Sequence, residues 1–408
     1  MEHHRQDKFL KHLAQTSPSP FLIDVERAEG IYIHDKNGKV YMDMIAGVAV
    51  NNVGHNHPIV IQEIKKQLDK HLHVMVYGEF IQDSQLSAAE ELLSLLPEEL
   101  NDVYFVNSGT EANEAAIKLA KRVTCRSEII AFKGAYHGST NGSLSLASNP
   151  EKTEKFKPLL PGVSHIELNN FEDLEKITPK TAAVFLETIQ GDAGVRIPTQ
   201  KYMNALRDKC NVTGAQLVFD EIQCGIGRTG KMFAFEHYNV IPDILTLGKG
   251  LGGGMNVGAM VSHYDKMIQL SDQPILGHIT TFGGHPIVCA AVTGCLKVFK
   301  EERILDSVEE KGKYLEDLLS VHPDIREVRR VGMMYAFDLS SFDHVYAVVQ
   351  HCLEAGLIGF WFLSTPNSFR LSPPLNITKD EIEKAARIIL DALDKVANDQ
   401  TLERNRCY

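Results

Sequence analysis

Asp220 and Lys249 are the two residues of this chain whose types and positions together suggest chemistry. Each closes a short apolar run, AQLVFD and DILTLGK. Such runs read as strands, and in an open parallel sheet ligands bind at the carboxyl ends of strands. Two side chains far apart in sequence can therefore face one crevice. A lysine desolvated there can form a Schiff base, and an aspartate can hold a proton on a pyridine nitrogen. Either residue alone at a strand end is more often structural or solvated; it is the pair that points to a site.

A second constellation is Asn107-Ser108-Gly109-Thr110-Glu111-Ala112-Asn113, which ends one apolar run and opens a helix. Ala112, Ala115, Ala116, Leu119 and Val123 form its apolar stripe. Gly109 permits close backbone approach, the first-turn N–H groups suit a phosphate, and the hydroxyls of Ser108 and Thr110 add donors. Taken in isolation, the same residues are an ordinary Ser or Thr N-cap.

Other motifs carry less. Gly225-Ile226-Gly227-Arg228-Thr229-Gly230 satisfies GxGxxG, with Asp243 further on. Residues 221–224, however, separate the strand from the first glycine, whereas a dinucleotide fingerprint puts its glycines in the strand-to-helix turn itself. A dinucleotide-dependent oxidoreductase is the rival reading, and it leaves Asp220, Lys249 and the SGT turn unexplained. Lys249 is followed by Gly where a P-loop needs Ser or Thr. His55/His57 and His71/His73 have i, i+2 spacing, which cannot set two rings on one helix face, so surface or packing roles are expected.

The elements that must position these residues follow from periodicity. Apolar runs at 103–106, 128–132, 184–186, 216–219, 244–247 and 257–261 read as strands buried on both faces, the pattern of a mainly parallel sheet under helices. One helix is expected after Pro58, with Ile61, Ile64 and Leu68 inward. A second, with Leu86, Ala89, Leu93 and Leu96, should stop at Pro97. Beyond residue 300 the pattern becomes α+β. Helices are expected through Ile304, Val308, Leu315 and Leu318 and through Ile382, Ala386, Ile389, Leu393 and Val396, with strands near 333–339 and 357–363. An opening hairpin turns at Asn37-Gly38 and should join that C-terminal part. The expected division is a large domain at 56–300 and a discontinuous small domain formed by 1–55 and 301–408.

The bulk properties exclude several classes. The chain has 408 residues, 44% hydrophobic and 23% charged, which is an ordinary globular mix. Its net charge of −11 speaks against a nucleic-acid partner, and no apolar run is long enough for a membrane span. Seven cysteines with no CxxC pair fit free thiols in a reducing compartment. No secretory signal is visible, so a cytoplasmic protein is expected.

Taken together, the motifs resemble the class III aminotransferases of pyridoxal-phosphate fold type I, acetylornithine and ornithine aminotransferases above all. The blocks that carry the resemblance are GVAVNNVGHNHP, FVNSGTEANEAAIKLA, FKGAYHGST, FKPLLPG, LETIQGDAGV, LVFDEIQCGIGRTG, PDILTLGKGLGGG, TTFGGHP and FRLSPPL. The resemblance implies an α/β fold: a large domain with a mainly parallel seven-stranded sheet flanked by helices, plus a smaller α+β domain. It also implies pyridoxal 5'-phosphate as cofactor and a homodimer with shared active sites. Lys249 would hold the cofactor covalently and shuttle the proton, and Asp220 would keep the pyridine nitrogen protonated. Gln223 would bond the phenolic oxygen, Tyr136 would stack on the ring, and His137 would belong to the same cofactor site. Ser108, Gly109 and Thr110 would hold the phosphate, with Thr281 completing the cup from the partner subunit. Arg370 would bind a substrate carboxylate, and Glu187 would pair with it when a substrate enters amine end first.

Three positions depart from the family's pattern. Ser139 stands where an arginine usually follows the aromatic-x-Gly turn, Thr188 where Pro is usual, and His285 where Asn is usual. The implied reaction is transfer of an ω-amino group from a basic amino acid of the acetylornithine or ornithine type to a 2-oxo acid, 2-oxoglutarate foremost. An ω-amino acid:pyruvate aminotransferase of the same family is the alternative.

Overall fold

The computed structural model describes residues 2–399. Along the chain, strands β1 (Val25–Glu29), β2 (Tyr32–Asp35) and β3 (Val40–Asp43) form an antiparallel meander. The β2–β3 turn is the expected one, with Gly38 donating its N–H to the Asp35 carbonyl. Seven strands follow: β4 (Asp102–Val106), β5 (Glu128–Phe132), β6 (Val163–Ile166), β7 (Thr181–Glu187), β8 (Gln216–Asp220), β9 (Ile244–Gly248) and β10 (Gly258–Ser262). They make one sheet in the order β4-β10-β9-β8-β7-β5-β6. Pairs from β9 through β6 are parallel, and β10 runs antiparallel to both β9 and β4. Every residue of β7, β9 and β10 is buried, because helices cover both faces.

The last strands are β11 (Glu327–Val331), β12 (Met334–Asp338), β13 (Leu357–Ile358), β14 (Phe360–Trp361) and β15 (Ser368–Leu371). The single strand expected at 357–363 is broken at Gly359. β13 pairs in parallel with β3, while β14 joins β15 in a separate sheet, β11-β12-β15-β14. The N-terminal hairpin and the C-terminal segment thus share one sheet.

Two long helices show how local sequence fixes the elements. Ser108 caps the Gly109–Thr124 helix by accepting the Glu111 N–H, and the chain leaves through left-handed Cys125. Lys379–Asn398 opens with a capping box between Thr378 and Glu381 and buries the whole expected stripe, Ile382, Ala386, Ile389, Leu393 and Val396.

Two early helices differ from expectation. Pro58–Leu68 buries Val60 and Gln67 and leaves Leu68 exposed, so its inward stripe lies one residue back. The cause is the Pro286–Glu302 helix, whose Gly294 lies directly against the Val60 backbone. The next helix, Asp83–Leu93, ends before Leu96, which occupies a following turn. β6 and β15 were not expected at all: each is only four residues long.

Candidate active site

Asp220 ends β8, and Lys249 follows directly on the end of neighbouring β9. Both line one cavity of about 260 Å³. Gly109 and Thr110, at the start of the capped helix, form another wall, where the helix dipole favours an anion. Tyr136, His137 and Ser139 come from the turn after β5, Glu187 from the end of β7, and Gln223 from the loop after β8. Apart from Ser108, Thr281 and Arg370, which do not line the cavity, the expected residues converge at the carboxyl ends of four strands and one helix N-terminus. Ser108 stays behind as the helix cap and does not line the cavity. Close packing makes the convergence possible: a Cβ at Gly258 would overlap the Ser108 carbonyl, and one at Gly138 (φ +128°) would overlap the Thr110 side chain.

Asp220 is held from several directions. Its Oδ2 accepts from Asn113 Nδ2 at 2.8 Å and lies 2.7 Å from His137 Nδ1. Its Oδ1 accepts from the Ile222 N–H at 3.0 Å. Thr246 in turn donates to Asn113 Oδ1 at 2.9 Å, fixing the amide so that its NH₂ faces the carboxylate. Burial alone would lower the His137 imidazole, but the bond to Asp220 reverses this and its pKa is raised. His137 is thus a positioning partner of Asp220. Asn113 escaped the sequence reading, although a polar residue on the buried face beside Ala112 and Ala116 was a usable signal.

Lys249 sits at φ +42°, a conformation that costs a non-glycine residue on the order of 1–3 kcal/mol. Burial first, and Arg370 second, push its ammonium down to about 8. A neutral, nucleophilic amine is therefore accessible near neutral pH.

Arg370, on β15, is buried with Nη2 unpartnered, its Cζ 5.1 Å from the Phe362 ring centroid. Burial lowers it to about 10, opposed first by Asp192 and then by Glu187. The pairing of Glu187 with Arg370 is expected as a substrate enters amine end first. In this structure Glu187 accepts the Tyr136 N–H at 2.6 Å and the Gly191 N–H at 2.7 Å, one on each oxygen, which leaves each oxygen further acceptor capacity. Burial, partly offset by His137, pushes Glu187 up to about 7. The acid felt most strongly by Arg370 is Asp192, which the sequence reading passed over.

Thr281 is exposed on the segment before the Pro286–Glu302 helix and does not line its own chain's cavity. Two departures have local explanations. Thr188 donates to buried Glu221 at 2.9 Å, and His285 caps the Pro286–Glu302 helix through the Ile287 N–H. Among the described residues no cluster of three or more His, Cys, Asp or Glu could hold a metal ion, and no helix is long and apolar enough to cross a membrane.

The donor set fits a phosphorylated pyridine aldehyde: an anion-favouring helix start, a carboxylate for a ring nitrogen and an amine for the aldehyde. Gln223 Nε2, buried without a partner, supplies a further donor.

Comparison with known proteins agrees. The chain is 40% identical to the acetylornithine aminotransferase of Methanopyrus kandleri, over 92% of this chain and 95% of that one. It is 37% identical to a [LysW]-aminoadipate semialdehyde/glutamate semialdehyde transaminase of Sulfolobus acidocaldarius, over 92% of this chain and 96% of that one. Among solved structures, the ornithine aminotransferase of Toxoplasma gondii, described with partial occupancy of PLP at its active site, superposes with a TM-score of 0.91 at 29% identity, covering 98% of this chain and 96% of that one. The sequence profile Aminotransferase class-III matches residues 13–393, and the chain belongs to that family.

Proposed function

We propose that the protein is a pyridoxal-phosphate-dependent aminotransferase that moves the ω-amino group of a basic amino acid of the acetylornithine or ornithine type to 2-oxoglutarate by a ping-pong scheme. The observation that carries this reading is the convergence of Asp220, Lys249 and the Gly109–Thr110 helix start on one cavity. When bound, the cofactor supplies an electrophilic aldehyde on an electron-withdrawing ring. Asp220, braced by Asn113 and His137, keeps the ring-nitrogen proton. Lys249 anchors the aldehyde and carries the proton of the amine-bearing carbon. Gly109 and Thr110 hold the phosphate, Gln223 bonds the phenolic oxygen, and Tyr136 covers the ring. Arg370, with its free Nη2, takes a carboxylate.

Residues 56–300 serve as the cofactor-binding unit, and 1–55 with 301–408 as the smaller one; of these, 1 and 400–408 lie outside the described residues. A second copy completes the site. Ile81 is 95% exposed and Ile275 75% exposed beside a cavity of about 710 Å³, an apolar surface that a like subunit would cover, and Thr281 stands free to reach the partner's phosphate.

The test is a purified sample that is yellow and bleached by borohydride, followed by a grid of amine donors against 2-oxo acids. Turnover of acetylornithine or ornithine with 2-oxoglutarate is the expected result. A colourless protein with no turnover of any pair overturns the reading.

A further inference from the structure

Lys152, in the short Pro150–Thr153 helix, is used by none of the roles above. Its Nζ donates to Asp192 Oδ2 at 2.6 Å and bonds Ser364 Oγ at 3.1 Å. It also lies 5.6 Å from the centroid of the Tyr136 ring, a cavity wall. An ammonium has three donors, so two are occupied and one remains. The Lys152 side chain keeps 22% exposure, and Asp192 only 8%.

The surroundings suit an anion. Tyr136 is half-exposed, and its hydroxyl lies 3.2 Å from Ser139 Oγ, so two neutral hydroxyls meet at the edge of the ring that Lys152 overlies. Asp192 accepts from Lys152, Ser364 and the Leu363 N–H, and it is also the acid that acts most strongly on Arg370. Lys152 is paired with Asp192, which with Glu187 is one of the two acids that act on Arg370, so both cations and both acids belong to one electrostatic group. An anion with a single carboxylate uses Arg370 alone; one with two has a second charge that would be costly to bury unpaired.

We propose that Lys152, with the hydroxyls of Tyr136 and Ser139, forms the subsite for the far carboxylate of a dicarboxylic 2-oxo acid whose near carboxylate meets Arg370. The proposal rests on the aminotransferase reading above. It makes Lys152 the residue that separates dicarboxylate from monocarboxylate acceptors.

The experiment compares kcat/KM for 2-oxoglutarate and for pyruvate, with one amine donor, in the wild type, Lys152→Gln and Lys152→Arg. The ratio of the two should fall about thirtyfold in Lys152→Gln, equivalent to about 2 kcal/mol, and return to within about threefold of wild type in Lys152→Arg. An equal loss with both acceptors would mean that Lys152 only braces Asp192, and the proposal falls. Calorimetry on the wild-type holoenzyme gives a test independent of any variant's folding. Glutarate should bind at least about tenfold more tightly than butyrate, and equal affinities overturn the subsite. Absence of turnover with every amine, alongside a retained preference for glutarate, would instead sink the aminotransferase reading and leave the subsite standing.

Discussion

Asp220, in the cavity wall, and Arg370, which acts on the same Lys249 from outside that wall, stand under opposite conditions. Asp220 accepts bonds from Asn113, His137 and Ile222, and Asn113 is itself braced by Thr246. Arg370 is equally buried, yet Nη2 has no partner, and Tyr136 and Ser139 in the cavity wall are solvent-accessible. The first end is oriented in advance, so its cost of ordering is met on folding. The second keeps a donor unmade, which is costly without a ligand and favourable with one. Chemistry common to many substrates belongs at the fixed end, and selection among substrates at the open end.

The largest effect that can break this comparison is at Lys249. Lys249→Ala removes both the covalent anchor and the proton carrier, and turnover should fall by at least about three orders of magnitude, toward the upper range of one acid–base group. Steady-state assay checks this, while the absorbance of added pyridoxal phosphate should show that Asp220 and the helix start still retain it noncovalently. Turnover above about 5% of wild type would show that the fixed end is not where the reaction occurs.

The lowered Lys249 pKa sets a pH dependence of nearly that size. Only the neutral amine captures the aldehyde, so the rate at which apoprotein takes up pyridoxal phosphate should rise about tenfold per unit below pH 8 and flatten above it. An ordinary lysine would keep gaining up to its usual pKa, and such a profile would remove the burial argument. Stability carries the matching sign. Between about 8 and 10.5 the unfolded chain binds a proton that folded Lys249 does not, so apoprotein stability rises with pH across that window. Glu187 acts oppositely: between 4.5 and about 7 the folded form binds the extra proton, and stability falls as pH rises. Urea titrations of wild type against Lys249→Met and Glu187→Gln isolate the two contributions.

At the open end, Arg370→Met removes the cation without leaving a large hole. A hydrogen bond to a charged group contributes about 1.5–3 kcal/mol, so kcat/KM for 2-oxoglutarate should drop about ten- to a hundredfold. The loss should fall mainly on KM, because the same carboxylate is held before and during the reaction. A kcat loss as large as that of Lys249→Ala would erase the distinction between the two ends.

That distinction also governs what the sequence could reveal. The fixed end was legible because its residues mark ends of elements: Asp220 and Lys249 follow apolar runs, and Ser108 caps a clean stripe. The sheet was legible too, since strands such as β7 are apolar throughout. β6 and β15 have too few residues to show a period, and Arg370 was placed only through the resemblance. The bonds that brace Asp220 and Lys152 were missed because they cross the fold, although the resemblance had already put His137 in the cofactor site. Asn113, His137 and Thr246 come from three elements, and Lys152, Asp192 and Ser364 from three more. Glu187, which the resemblance pairs with Arg370 only as a substrate enters amine end first, is held here by two backbone N–H groups that no side-chain pattern announces.

The smallest effect is also the most discriminating for the open end. Ser139 stands where the resemblance leads one to expect an arginine, and the structure sets Lys152 over the ring of Tyr136, whose hydroxyl meets Ser139. If the far carboxylate were unpaired in the wild type, Ser139→Arg would add a missing charge-assisted bond, and kcat/KM for 2-oxoglutarate would rise by one to two orders of magnitude. With Lys152 already serving that carboxylate, the new guanidinium is a second cation at a solvent-accessible position. Ion pairs there contribute about 0.2–1 kcal/mol, a gain of no more than about fivefold. Like-charge repulsion from Lys152 trims it further, so we expect about threefold or less. Combining Ser139→Arg with Lys152→Gln should then restore most of what Lys152→Gln alone loses. A large gain from Ser139→Arg in the presence of Lys152 would place the far carboxylate beyond the reach of that lysine.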